Sequence, residues 1–212
     1  MTQAIPEMPE PRDVAVGPRV REIRLQRGLS LRALASALSI SASALSQIET
    51  GRTRPSINRV HQIATELDVP LSALFAPGLE MPSAPERSAS EGTLPDLSSS
   101  VGYDPSICVQ KAVESPTIQL DNGIRWDRIS PKESDGLAFL NLVFDPGAGY
   151  SEYLQHNGRE IVYVVAGTLT FHVGFGTHEV AEGDSFMFPS TTPHKVVNPG
   201  DVPARACWLV LS

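Results

Sequence analysis

Only two cysteines, Cys108 and Cys207, occur in 212 residues. So isolated a pair makes neither a disulfide framework nor a zinc-finger pattern, and a reducing compartment fits. Long hydrophobic runs are also missing: nothing approaches the roughly eighteen apolar residues of a membrane helix. The opening MTQAIPEMPEPRD has no basic segment followed by an apolar one, so no export signal is read there. A soluble, cytoplasmic chain without a membrane partner is the expectation. A net positive charge is lacking as well, the formal charge being -7 and the pI about 5.2. Spread evenly, that charge would exclude a polyanionic partner.

The charge is not spread evenly. Residues 14–76 carry eight arginines (19, 21, 24, 27, 32, 52, 54 and 59) against four acids, a net of +4. Residues 79–212 carry eight Lys or Arg against seventeen acids. A cationic head joined to an anionic body is therefore expected, in two domains each long enough to bury a core. Residues 1–16 are Pro-rich and acidic and read as a disordered lead. Residues 77–100, PGLEMPSAPERSASEGTLPDLSSS, are dense in Pro, Ser, Gly and Ala without any period. They read as a flexible linker of about 25–30 Å root-mean-square reach. Domain boundaries of 17–76 and 101–212 follow.

Within the head, residues 30–51 read SLRALASALSISASALSQIETG. Ser30 is a candidate N-cap, and Leu31, Leu34, Ala35 and Leu38 fall at helical spacing on one face. Ser39 and Ile40 break the period, Ser41 can cap a second helix, and Leu45 and Ile48 give it only a thin apolar stripe before Gly51. The free face of that helix carries Ser41, Ala42, Ser43 and Gln47, small or amide side chains that allow close approach to base edges. Arg32, Arg52 and Arg54 flank it with charges suited to phosphates. Taken in isolation, a stretch of this kind reads as a plain helical hairpin; its context reverses that reading. Before it a helix from Gly17 uses Val20, Ile23 and Leu25 for the core; after it Ser56 caps a helix with Ile57, Val60, Ile63, Ala64 and Leu67 inward. His61 falls off that stripe and reads as a surface residue without partners. A short fifth helix over residues 70–75 would bury Leu71, Leu74 and Phe75.

This pattern resembles the Cro/CI (XRE-type) helix-turn-helix family, whose Ser-x-x-x-Leu-Ser-x-Ile-Glu-x-Gly-x-x-x-Pro phrase runs here from Ser41 to Pro55. The resemblance implies a five-helix, lambda-repressor-like domain whose third helix enters the major groove of double-stranded operator DNA. It places Gln47, Ser43 and Ala42 at bases, and Arg24, Arg52, Arg54 and Asn58 along the phosphate backbone.

From about Val101 the period shifts from 3.6 to 2, with strands expected over residues 107–113, 117–120, 124–129, 137–144, 161–165, 168–173, 185–188, 195–197 and 204–211. Many short strands indicate a sandwich or barrel. Residues 146–167 and 183–198 resemble the paired motifs of the cupin superfamily, a jelly-roll or double-stranded β-helix barrel. His156, Glu160 and Gly167 keep the first motif's spacing, with Leu154 in place of its first His. Gly183, Pro189, His194 and Asn198 keep the second, with Thr191 in place of its middle Gly. Two readings of the trio stay open. His156, Glu160 and His194 could hold a divalent transition metal with open positions, although Leu154 removes one nitrogen. Alternatively they hydrogen-bond one another and a polar effector, with Leu154 and Phe188 in an apolar wall and Tyr153, Phe186 and Trp208 nearby. Arg125, Arg128 and Arg159 could supply a counter-charge to a carboxylate effector, but each reads first as solvated. The expected function is a homodimeric regulator in which the β-domain senses a small-molecule effector, without catalysis. A metal-dependent cupin oxygenase or isomerase carrying a DNA-binding module is the alternative.

Overall fold

The computed structural model describes residues 16–75, 108–131 and 136–211. The expected linker, and the lead apart from Val16, lie outside them. Four α-helices are described in the head: α1 (Val16–Gln26), α2 (Leu31–Ala37), α3 (Ala42–Glu49) and α4 (Ile57–Glu66). Three serines start three of them. Ser30, Ser41 and Ser56 each adopt an extended conformation and accept a hydrogen bond from the amide three residues on, Ala33, Ala44 and Arg59 respectively. Each cap contributes about 1 kcal/mol. Between α2 and α3 the chain reverses through Ser39 at φ 54°, the left-handed turn residue that stops α2. Val20, Leu34, Leu45, Val60, Ile63, Leu67, Leu74 and Phe75 fill the core. Helix α1 reaches the end of α3 only because residue 17 is glycine: a Cβ there would lie 2.0 Å from the Ile48 carbonyl oxygen.

Two expectations in the head are corrected. The fifth helix is a single 3-10 turn, Leu71–Leu74. Leu74 within it and Phe75 just after it are buried as expected, while Leu71 is only half-buried. In α1 the inward face is Val16, Val20, Ile23 and Arg24, and Leu25 is 58% exposed. Steps of three and four residues bring 16, 20, 23 and 24 to one side and leave 25 about a hundred degrees beyond 24.

The β-domain has nine described strands: β1 (Thr117–Gln119), β2 (Ile124–Arg128), β3 (Leu137–Phe144), β4 (Arg159–Ala166), β5 (Thr168–Val173), β6 (Gly176–Ala181), β7 (Ser185–Pro189), β8 (His194–Val197) and β9 (Ala204–Leu211). They form a six-stranded antiparallel sheet, β1-β2-β3-β9-β4-β7, and a three-stranded one, β6-β5-β8. Isolated bridges Gly149↔Val197 and Leu154↔His194 tie further chain to β8, so the described strands do not close into one continuous barrel. The inner layer holds Trp126, Leu140, Leu142, Phe144, Val162, Phe171 and Trp208. No strand forms at 108–113, where residues Ala112–Glu114 make a 3-10 turn; Ile107 lies outside the described residues. Strand β6, not expected from the sequence, is polar except for Val180 and Ala181 and pairs only with β5.

The head is seated on the β-domain. The Asp121 amide donates to the Pro55 carbonyl at 3.2 Å, and Asn58 Nδ2 donates to Glu152 Oε2 at 2.6 Å. One turn further along α4, the His61 ring stacks on His156, with centroids 4.8 Å apart and planes at 20°.

Candidate functional site

The face of α3 read as a probe is presented outward. Ser43 and Gln47 are exposed and Ala42 is half-buried. The Ser41 hydroxyl caps the helix through Ala44, and Gln47 Oε1 accepts from Thr53 Oγ1 at 3.3 Å, which ties this side chain to the following loop. Arg32, Arg52 and Arg54 are exposed, and none has an ion pair among the described residues. Three uncommitted guanidiniums around an amide-bearing helix face are equipped for phosphates and a base edge.

Two of the expected backbone contacts sit elsewhere. Arg24 is buried at 6% exposure, its Nε and Nη2 donating to Glu49 Oε1 and Oε2 at 2.6 and 2.9 Å and its Nη1 to the Leu29 carbonyl at 2.8 Å. It joins α1 to α3 and is not available to a phosphate. Asn58 is engaged by Glu152 across the domain boundary.

In the β-domain the structure brings His156, Glu160 and His194 together, one ligand atom of each lying within 4.8 Å of the others. Glu160 comes from β4, His194 from the start of β8, and His156 from the loop before β4. Glu160 Oε1 lies 2.9 Å from His156 Nε2 and 3.2 Å from His194 Nε2, while Oε2 accepts from the Trp208 indole at 2.7 Å. Each imidazole turns its Nδ1 to a backbone carbonyl, Asn157 for His156 and Thr192 for His194, both at 3.0 Å. A carbonyl only accepts, so those bonds place the proton on Nδ1 and leave a lone pair on Nε2.

Two nitrogen lone pairs and a carboxylate oxygen then converge with no hydrogen among them. Glu160 Oε1 and His194 Nε2 accordingly complete no aligned hydrogen bond despite their proximity. Such a cluster is relieved either by extra protons or by a cation. Burial disfavours a charged Glu160, but once an imidazole takes an extra proton on Nε2 it gives the carboxylate a donor and an opposite charge, which outweigh burial and hold Glu160 well below the usual carboxylate range. Burial likewise works against a proton on His156, yet Glu160 raises its pKa above the ordinary histidine value. The donor set fits a divalent transition metal: two imidazole nitrogens and one carboxylate oxygen, each oriented by a second hydrogen bond. Bound there, such a metal would supply Lewis acidity and open coordination positions.

Residues that sequence reasoning placed elsewhere complete the surroundings. A cavity of about 10 Å³ beside the trio is lined by Trp126, Tyr150, Leu154 and Trp208 from the β-domain and by His61 and Leu71 from the head. Leu154 lines this cavity. Phe188 does not: it packs behind His194, with ring centroids 5.0 Å apart. Tyr153 is exposed, and Phe186 packs in tilted contacts against Phe171 and Phe188. Arg128 is buried, against its solvated reading, and Arg125 pairs with Asp127 at 3.1 Å. His61, read as partnerless, stacks on His156 and meets Trp126 edge-on at 6.0 Å. Burial and the neighbouring His156 lower its pKa to about 4. No local pattern marks this residue, because its partners Trp126 and His156 lie sixty-five and ninety-five residues away in the β-domain.

Comparison with known proteins matches residues 20–74 to a helix-turn-helix family model and residues 141–210 to a cupin domain model. The HTH-type transcriptional regulator PuuR of Escherichia coli (strain K12) is 25% identical over 185 residues, covering 87% of this chain and 88% of that protein. An uncharacterized HTH-type transcriptional regulator of Sinorhizobium medicae (strain WSM419) is 35% identical over 99 residues, 44% of this chain and 71% of that protein. Among solved structures, an HTH_3 family transcriptional regulator from Vibrio cholerae superposes with a TM-score of 0.60 at 23% identity, over 93% of this chain and 95% of that one.

Proposed function

The chain belongs to the helix-turn-helix transcriptional regulators of the XRE type and carries a cupin domain, and from that premise we propose that it is a sequence-specific, homodimeric regulator whose β-domain senses a small effector. It would act in the cytoplasm. The observation that carries the reading is the exposed Ser43–Gln47 face of α3 between unpaired Arg32, Arg52 and Arg54. Gln47 is the reader, since a side-chain amide can pair bidentately with adenine, and the arginines position the helix. Gln47→Ala should lower discrimination between operator and random duplex by about 1–3 kcal/mol. Arg54→Ala should instead weaken all duplexes alike and reduce the salt slope by about one unit. Titrations at several salt concentrations separate the two. Equal losses on operator and random DNA for Gln47→Ala would remove it as a reader.

One head offers few phosphate contacts, so two are needed, on half-sites about one helical turn apart. Support for a pairing surface comes from the outer face of the large sheet. Register places Met187, Ile161, Leu209 and Phe139 in one row across β7, β4, β9 and β3. Met187 and nearby Tyr163 are 57% and 51% exposed. An apolar row of this kind on an open sheet suits an isologous contact. Ile161→Asp in its centre should raise the dimer dissociation constant at least about thirty-fold, the loss of one hot spot. Sedimentation velocity reads it; an unchanged dimer would move the contact elsewhere.

A metal-dependent cupin enzyme is favoured by the trio alone. Against it stand the relatives named above, transcriptional regulators that this chain matches along most of their length.

A further inference from the structure

The ligand cavity is built from both domains. His61 of α4 and Leu71 of the following turn line it from the head, and the His61 ring lies against His156 and Trp126. About 10 Å³ remains, enough for one water or ion. A small organic molecule therefore fits only where the His61 ring now lies. The same helix turn carries Asn58, held by Glu152, and in the loop before it the Pro55 carbonyl accepts from the Asp121 amide. Removing His61 from the cavity pulls on both links.

We infer that His61 is a built-in occupant of the sensor site, so that a small planar molecule with one hydrogen-bonding edge competes with it and unseats the head. The inference rests on the reading of the β-domain as a ligand sensor and names how the ligand is read. The planar ring, stacked on one imidazole and edge-on to an indole, defines the shape and chemistry of what can replace it. Seating and ligand binding are then mutually exclusive, and by linkage each opposes the other by the same factor. Unseating frees Asn58 beside the arginine-bearing loop and releases the fixed orientation of α3 relative to the β-domain. A lone cation on His156, Glu160 and His194 requires no such displacement.

The Asp121 amide reports seating directly, because its bond to Pro55 crosses the boundary. In the full-length protein, stripped of metal with a chelator, His61→Ala and separately Asn58→Ala should each speed Asp121 amide exchange at least about ten-fold. The Leu67 amide inside the head, bonded to Ile63, should keep its protection and so excludes unfolding. Imidazole, the probe for the vacated place, should bind and stabilise His61→Ala at millimolar concentration and bind the wild-type chain at least about ten-fold more weakly. Asp121 exchange unchanged in both variants, or equal imidazole affinity for wild type and His61→Ala, would overturn the inference. Such a failure leaves operator selection by the heads untouched. The sensor reading fails separately, if DNA affinity is indifferent to every occupant of the β-domain.

Discussion

Replacing Arg24 by methionine is expected to cost the head about 3–5 kcal/mol, because it leaves Glu49 buried and unpaired. The arginine forks onto both oxygens of a carboxylate at 5% exposure and also satisfies the Leu29 carbonyl at the end of α1. Truncation strands three acceptors at once. A small helical domain has a total stability of about 5–15 kcal/mol, so most of the head's margin would go. The double variant Arg24→Met, Glu49→Leu should recover most of the loss, since an apolar pair of similar volume replaces a buried ion pair at little net cost. Denaturant unfolding followed by circular dichroism measures both. Had Arg24 been a phosphate contact, Arg24→Met would instead leave unfolding unchanged and lower the salt slope of DNA binding by about one. That result would restore the role expected for it from sequence.

The second large effect is expected at Glu160. Glu160→Gln removes the only carboxylate from the convergence of two Nε2 lone pairs, and affinity for nickel, manganese, iron or zinc should fall at least about a hundred-fold. Titration calorimetry on chelator-treated protein gives the constants, and metal analysis of purified protein gives the occupancy. The wild-type chain should also gain thermal stability in proportion to metal concentration over its dissociation constant, a gain absent in the variant. A wild-type chain with no metal-dependent change would leave the trio as a proton-sharing cluster. The Trp208 indole bond to Glu160 would then be its main anchor.

The parts that were legible in the sequence are those that local chemistry dictates. Ser30, Ser41 and Ser56 were readable as caps because a hydroxyl three residues before a free amide is a local signal. The meeting of His156, Glu160 and His194 was readable because their motif spacing places them on adjoining segments of one β-domain. Arg24 and Leu25 exchanged places because composition argues for leucine inside, whereas Glu49, twenty-five residues away, makes arginine the better core residue. Strand β6 was missed since an edge strand with one apolar face residue carries no alternation. His61 was beyond any local signal: its role depends on how the head docks, a property of two surfaces and not of one segment.

Central to the account is that α3 reads a duplex, and selection from a random-sequence DNA pool with the full-length protein tests it most directly. Enrichment of a pseudo-palindrome with half-sites about one helical turn apart is expected, and its loss when Gln47 is replaced by alanine. A pool that stays random after repeated rounds, while the protein remains folded and dimeric, would contradict it.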